Sequence, residues 1–451
     1  MTYLEAVDLL HHIEEKYDVM SIRVNGLSVW PLLRIRLLDK ISGDDAIRKS
    51  TGFTAIKEVL ETLFYYNPLK YFHNYKVWVF SHNGSRNLIG DKRIERTTGC
   101  VIDAEPRTLF IEKPSFNQIK YPRRSIPEKQ IVSESWLLMF VHILAKIYPI
   151  KKIKIENEDC LKKLLTVHNI RFNYHDAICL LIAQKKVFDG LLSITHKPQS
   201  VIIECTYTIM GYVWSLHMHG IKVIEMQHGV LNKHHYAYNS KYHSDMLYPD
   251  EMWVWGDEEY KYMTSEECHF CTSVQKVGLY FLDYAKKHFT TDPFFEYRKK
   301  GMTICVIAGQ TGYEDKMAKY TESIAGDNPG CMFIYVPRRV DAKLSFKSEN
   351  ILFKPGINIY EYMLWCDIHV TISSTTCLEC QYYKKPTIFY NYDNRAAVYY
   401  GEVLKEENGV VYTNDARDFK SAMARIKTIT IEYREIFTDN TVKKMKDILK
   451  K

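Results

Sequence analysis

The chain has 451 residues, long for a single core, so two domains are expected. Apolar residues at 46% and charged residues at 25% give the balance of an ordinary folded, soluble protein. Lys and Arg number 61 against 54 Asp and Glu, a net +7 that suits anionic ligands or a membrane surface but lacks the dense basic face of a nucleic-acid binder, so no nucleic acid partner is expected.

The opening residues carry Glu5, Asp8, Glu14 and Glu15 and no basic start ahead of an apolar run, so no secretory signal is read. The 11 cysteines are scattered through strand and helix candidates, as reduced thiols are. The longest mainly apolar run, Trp136 to Ala145, is about half of what a membrane-spanning helix needs. These features predict a cytoplasmic protein, free or at the cytoplasmic face of the inner membrane.

In chain order, Leu4, Val7, Leu10 and Ile13 recur at helical spacing, which predicts an amphipathic helix over residues 2–16. After Asn25-Gly26, the apolar segment Leu27 to Leu38 includes Arg34 and Arg36 and predicts a packed helix begun near Pro31. Val77 to Ser81 (VWVFS) is the first clear buried strand, and it runs into a polar turn, His82-Asn83-Gly84-Ser85-Arg86. Open α/β sheets bind ligands beyond the carboxyl ends of their strands, so this turn is expected to line a cleft. Thr108 to Glu112 is a further strand, and Pro122 to Pro127 an irregular basic loop. Ser135 to Ile150 predicts an apolar helix followed by Lys151, Lys152 and Lys154. Its Trp136, Phe140 and Tyr148 could dock on an anionic bilayer, and a buried helix with a solvated basic end explains the same pattern. Ala177 to Leu192 is another helix.

Val201 to Glu204 and Lys222 to Met226 are short strands separated by a helix-length segment, a βαβ unit that ends in Gln227-His228-Gly229. Met252 to Trp255 and Val274 to Val277 continue the alternation. Residues 286–300 carry no strong period and read as a linker. A second series follows: Thr303 to Ala308, Met332 to Val336, Ile351 to Phe353, Ile368 to Ile372, Thr387 to Asn391 and Val410 to Tyr412. The fold class is therefore α/β, two Rossmann-like domains over 1–285 and 301–451 with a cleft between them. The C-terminal helical region can cross back over the first domain.

Ile368 to Asn391 carries the clearest chemistry. A strand, the turn Ser373-Ser374, then a helix begun near Thr375 form an anion site, in which free N–H groups and the hydroxyls of Ser373, Ser374, Thr375 and Thr376 meet phosphate oxygens; a plain N-cap is the competing account. Gly309-Gln310-Thr311-Gly312 follows the first strand of the second series. It lacks the third glycine of a dinucleotide fingerprint and the lysine of a P-loop, yet Gly309 and Thr311 could approach a phosphate. Arg338 and Lys354 end neighbouring strands and add cations, unless they are solvated loop charges. Glu379, one turn into the short helix, could accept ribose hydroxyls. His228 at a strand end has the titration range of a general base, flanked by Gln227 and Gly229, which permit close ligand approach. Cys268/Cys271 and Cys377/Cys380 could pair on zinc, but read more simply as core thiols, so no metal is expected.

Gln227-His228-Gly229, Met252 to Gly256 (MWVWG), Val336-Pro337-Arg338, Cys366-Asp367 leading to Ser373-Ser374-Thr375 and Glu379, and Lys385-Pro386 together resemble the bacterial surface-polysaccharide glycosyltransferases of the GT-B architecture, the capsule and lipopolysaccharide enzymes that include Kdo and sialic-acid transferases. The resemblance spans about Val201 to Tyr412. It implies a nucleotide-sugar donor held by the second domain and a glycan or lipid-linked glycan acceptor in the first, with no cofactor or metal. On it, Ser373, Ser374 and Thr375 hold donor phosphate with Arg338, Lys354, Gly309 and Thr311 around them, Glu379 meets the ribose, and His228 lies at the reacting centre. Gln227, Gly229, His82 and Arg86 fall on the acceptor side. The His-Pro of many such enzymes is Val336-Pro337 here, so the family's histidine role does not carry over to this position and the case for a CMP-linked donor is weaker. A sugar-nucleotide epimerase, a polyol-phosphate transferase and a non-catalytic nucleotide-sugar-binding protein remain alternatives on the same architecture.

Overall fold

A computed structural model describes residues 3–42, 66–113, 123–147, 153–310, 312–339 and 342–450. The chain opens with the helix Tyr3–Lys16, then β1 (Arg23–Val24) and β2 (Leu27–Ser28), a hairpin turned at Asn25 and Gly26, both with positive φ. The helix Trp30–Ser42 follows. Its Arg34 is buried against Glu14 of the first helix at 2.8 Å, and the Trp30 indole donates to the same carboxylate, so the packed arginine is neutralised rather than solvated.

The first large sheet is built from β3 (Val77–His82), with a charged hairpin of β4 (Arg86–Ile89) and β5 (Lys92–Glu95) inserted after it, then β6 (Thr108–Lys113) and β7 (Ile131–Ser133). β8 (Ile155–Glu156) joins β1 in a small separate sheet. β9 (Ser200–Ile203), β10 (Lys222–Met226), β11 (Glu251–Val254) and β12 (Ser273–Lys276) complete the large one. Its order is β12-β11-β10-β9-β3-β6-β7, every pairing parallel. Such strands are covered on both faces, which is why VWVF and SVII are buried without alternation. The direction of winding reverses between β3 and β9, so their carboxyl ends diverge into a crevice.

The second sheet comprises β13 (Thr303–Ala308), β14 (Cys331–Val336), β15 (Ile351–Phe353), β16 (Ile368–Thr371), β17 (Thr387–Tyr390) and β18 (Val410–Thr413), in the order β15-β14-β13-β16-β17-β18 and again parallel throughout. Its reversal falls between β13 and β16. The protein is thus α/β with two Rossmann-like parallel domains. The segment between the sheets holds the helices Tyr280–His288 and Phe295–Lys299, and Arg298 in it pairs with Asp367 at 2.7 Å. The last helix, Thr441–Leu449, returns to the first domain, where Met445 is buried beside Cys100 and Lys76 donates to the Leu449 carbonyl.

Candidate functional site

The carboxyl edge of the first sheet carries His82, Glu204-Cys205 and Gln227-His228, at the ends of β3, β9 and β10. All but Gln227 border a cavity of 280 Å³ at the β3/β9 reversal, whose walls include Ser81, His82, Glu134, Glu204 and His228. His82 accepts from the Gly84 N–H at 2.9 Å and so caps its own turn. Burial, with Lys113 and Arg338 nearby, holds its pKa down at about 4. His228 is likewise lowered to about 4, by burial first and then by Arg96. Its imidazole is therefore neutral at neutral pH, and Nδ1 is buried without a hydrogen-bond partner.

The second sheet presents the matching edge. Gly309 follows β13 and sits against the end of β14: a Cβ there would lie 2.9 Å from Pro337 Cα, so only glycine fits. Gln310 then crosses the β13/β16 reversal. Its Nε2 donates to Ser373 Oγ at 2.9 Å and its Oε1 accepts from the Ser373 N–H at 2.9 Å. The helix after this turn is Thr376–Tyr382, with Ser374 Oγ accepting from the Thr376 N–H at 3.4 Å. Ser373, Ser374 and Thr375 are all partly exposed, while Thr376 is turned inward to the buried His369 ring, 3.0 Å away. Arg338 leaves the end of β14. The residue keeps solvent access while its guanidinium is crowded enough that burial, and Arg96 after it, lowers its pKa; this is the environment of a side chain lining a narrow cleft.

Arg96, immediately after β5, ties the two edges together. Its Nη1 donates to the Tyr360 hydroxyl at 2.8 Å and to Glu379 Oε1 at 3.2 Å, both in the second domain, while Nη2 donates to the His228 carbonyl at 3.1 Å in the first. Tyr360 also donates to Glu379 at 3.1 Å. His228 and Glu379 of the short helix are therefore joined through one guanidinium. Glu379 is fully buried, its second oxygen has no partner, and burial raises its pKa against the opposing pull of Arg96.

Several expectations change. Arg86 is not an acceptor-side cation: it is buried and bonded to Glu112 and Glu128, bracing the β4–β5 hairpin. Gln227 is also structural. Its Oε1 accepts from the Trp255 N–H at 2.7 Å and its Nε2 donates to the Gly229 carbonyl at 2.9 Å, locking the turn that holds His228. No heavy atom lies within 4 Å of a Cβ built on Gly229, so packing does not demand glycine there. Lys354 follows β15, the outer strand, three strands and so about 14 Å from β16, too far to converge on the Ser373 turn from its strand position. Thr311, like Tyr148, Lys151 and Lys152, lies outside the described residues. Arg96, Gln310, Tyr360 and Glu204 were not singled out as site residues. Gln310 and Glu204 stand directly after strands at the two reversals, a signal that could have found them; Arg96 offered none.

Cys268 sits in the first domain's core, whereas Cys377 and Cys380 share another cluster beneath the short helix, so the two pairs do not meet. Among the described residues no group of three or more His, Cys, Asp or Glu side chains could hold a metal ion.

No protein-family model matches the sequence. No curated protein matches it either. Among solved structures, UDP-GlcNAc 2-epimerase from Methanocaldococcus jannaschii aligns over 83% of this chain and 98% of its own, at 9% identity and a TM-score of 0.47. UDP-GlcNAc 2-epimerase from Neisseria meningitidis bound to UDP-GlcNAc aligns over 83% and 98%, at 11% identity and 0.46. The calicheamicin glycosyltransferase CalG4 aligns over 84% and 94%, at 9% identity and 0.46. The chain is similar to both kinds of enzyme in layout, and the fold itself rests on its two parallel sheets.

Proposed function

We propose that the protein is a glycosyltransferase that moves a sugar from a nucleotide-sugar donor to a growing surface glycan. The observation that carries this reading is the bridge of Arg96 from the His228 carbonyl to Tyr360 and Glu379, because it brings the strand-end crevices of both domains to one place. Donor phosphates would lie at Ser373, Ser374 and Thr375 beside Gln310 and Arg338. There the serine hydroxyls and one guanidinium can stabilise the charge that grows on the leaving phosphate, with no metal required. The acceptor hydroxyl would lose its proton to Nδ1 of neutral His228 as its oxygen bonds to the anomeric carbon and the bond to phosphate breaks. An incoming phosphate would also offset the Arg96 charge that, after burial, holds His228 down, so donor binding would make the imidazole a stronger base. Glu379, fully buried and bonded to Arg96 and Tyr360, would brace the donor pocket from beneath rather than touch the ribose itself.

The helix Ser135–Ile147 supports peripheral contact with the inner membrane. Phe140, Ile143 and Ile147 are 51%, 49% and 70% exposed along one stripe, and the described residues contain no helix long and apolar enough to cross a bilayer.

The test is thermal stabilisation by CMP-, UDP-, GDP- and CDP-linked sugars and their free nucleotides, followed by product analysis with and without glycan acceptors. A selective shift, lost in Ser374→Ala or Glu379→Ala, with product formed only when acceptor is present, is the expected result. Turnover of donor without acceptor would make the protein an epimerase, and binding without turnover a non-catalytic receptor. No shift with any nucleotide at millimolar concentration would defeat the donor site.

A further inference from the structure

The first-domain cavity carries more polar demand than a phosphate-directed cleft explains. Four of the residues that line it each carry a buried polar atom with no hydrogen-bond partner: Ser81 Oγ, Glu134 Oε1, Glu204 Oε1 and His228 Nδ1. Glu134 is 1% exposed and Glu204 8%, so neither carboxyl can turn out to solvent. A buried polar group left in this state is destabilising. Four such groups around one cavity call for a ligand that brings several hydrogen-bonding groups at once.

The volume limits what that ligand is. At 280 Å³ the cavity is just smaller than the usual small-molecule sites of about 300 to 1,000 Å³, and holds one ring rather than a nucleotide with its sugar. Phe80 and Ile209 supply an apolar wall against which the C–H face of a ring can lie.

Glu204 has a defined state within this wall. Its neighbour Glu95 is fixed as an acceptor by the Thr97 N–H at 3.0 Å, the Thr98 hydroxyl at 2.8 Å and the Thr98 N–H. Burial and then the Glu95 charge push the Glu204 pKa well above the carboxylate range. Glu204 therefore keeps its proton and can donate it towards Glu95, which leaves Oε1 as a carbonyl-type acceptor on the cavity wall. Glu134 is also raised by burial, against the opposing charge of Lys113.

We propose that this cavity binds a single hydroxyl-rich ring, a monosaccharide unit, whose hydroxyls donate to Glu134 and Glu204 and whose oxygen is read by Ser81. The inference rests on the glycosyltransferase reading only for whether that ring belongs to acceptor or donor; the shared chemistry is a polyol ring. Glu204 is then a specificity residue that acts as a neutral acid.

The experiment is saturation-transfer NMR on the full chain with methyl glycosides of glucose, galactose and N-acetylglucosamine, their monodeoxy analogues, cyclohexanol, and UDP-linked sugars. At least one glycoside or UDP-linked sugar is expected to show transfer to its ring protons, and removal of one contacting hydroxyl is expected to weaken binding about tenfold. Glu204→Gln, which keeps an acceptor on the wall and a donor towards Glu95, should retain binding, whereas Glu204→Leu should lose it. The deoxy series keeps the test decisive if the leucine variant does not fold. Transfer from a free methyl glycoside assigns the ring to the acceptor, and transfer only from a nucleotide-linked one assigns it to the donor. Binding of methyl glycosides by a protein that takes no nucleotide would sustain this site while the transferase reading fell. Nucleotide-sugar binding with silent ring protons, or cyclohexanol binding as well as the glycosides, overturns the inference and leaves the transferase reading standing.

Discussion

Arg96→Met removes two hydrogen bonds that cross to the second domain, at 2.8 Å to the Tyr360 hydroxyl and 3.2 Å to the Glu379 carboxylate, and one within the first, at 3.1 Å to the His228 carbonyl, while keeping most of the apolar stem. Breaking one side of a buried pair costs about 3–5 kcal/mol, and with Arg96 16% exposed the lower end, about 3 kcal/mol, is expected near neutral pH. The loss is pH-dependent. Burial already lifts Glu379 above its ordinary 4.5, and Arg96 opposes that shift; without the guanidinium the folded pKa rises further. A carboxyl raised in the folded state contributes stability that is full below the unfolded value and lost as the pH climbs through the folded one. The variant's deficit should therefore be smallest near about pH 5 and largest near about pH 8. Urea unfolding followed by tryptophan fluorescence at both pH values measures it, and Arg96→Met with Glu379→Gln should recover part of the loss at the higher pH by removing the charge that is left alone. A deficit below about 1 kcal/mol, or one that is equal at the two pH values, would mean that this pair does not hold the domains together.

Two further outcomes follow from the same geometry. With His228 held at about 4, kcat/KM for transfer should be flat from about pH 6 to 8 and fall only as the imidazole protonates near its lowered pKa; an acid limb centred near 6.5 would mean that the ring is solvated. The paired change Phe140→Glu and Ile147→Glu should cut co-sedimentation with phosphatidylglycerol vesicles by at least about tenfold, since each exposed apolar side chain contributes roughly 1.5–3 kcal/mol when buried in lipid, and unchanged sedimentation would leave the helix with no membrane role.

The large sheets were legible because buried parallel strands have few ways to be written. TICVIA and CMFIYV are continuous apolar runs of strand length, and Val77–His82, Lys222–Met226 and Ile351–Phe353 fall where the sequence puts them, to within a residue. What the sequence hid is short or charged. β1, β2 and β8 are two residues each, too short for any period, and β7 is held by pairing with β6 over three residues. The β4–β5 hairpin, RNLI against KRIE, has the composition of a solvated loop and earns its structure from Arg86 beneath it.

That hairpin explains why the site was only half legible. Residues that end strands at a reversal of sheet order can be located from the order of strands alone; His82, Gly309 and Ser373 lie at such ends, and His228 follows β10, the next strand along. A side chain that crosses from one domain to the other leaves no local trace. Arg96 stands in KRIER among charges of the same kind, and its partners Tyr360 and Glu379 are 264 and 283 residues away. Arg86, a few residues earlier, looked equally available, yet its carboxylate partners Glu112 and Glu128 close over it from within its own domain. Two arginines on one hairpin thus have opposite fates, decided by which carboxylates the fold brings near. The one that braces the hairpin fixes the platform from which the other reaches the second domain, so weakening Arg86 should be felt at Glu379 even though the two never touch.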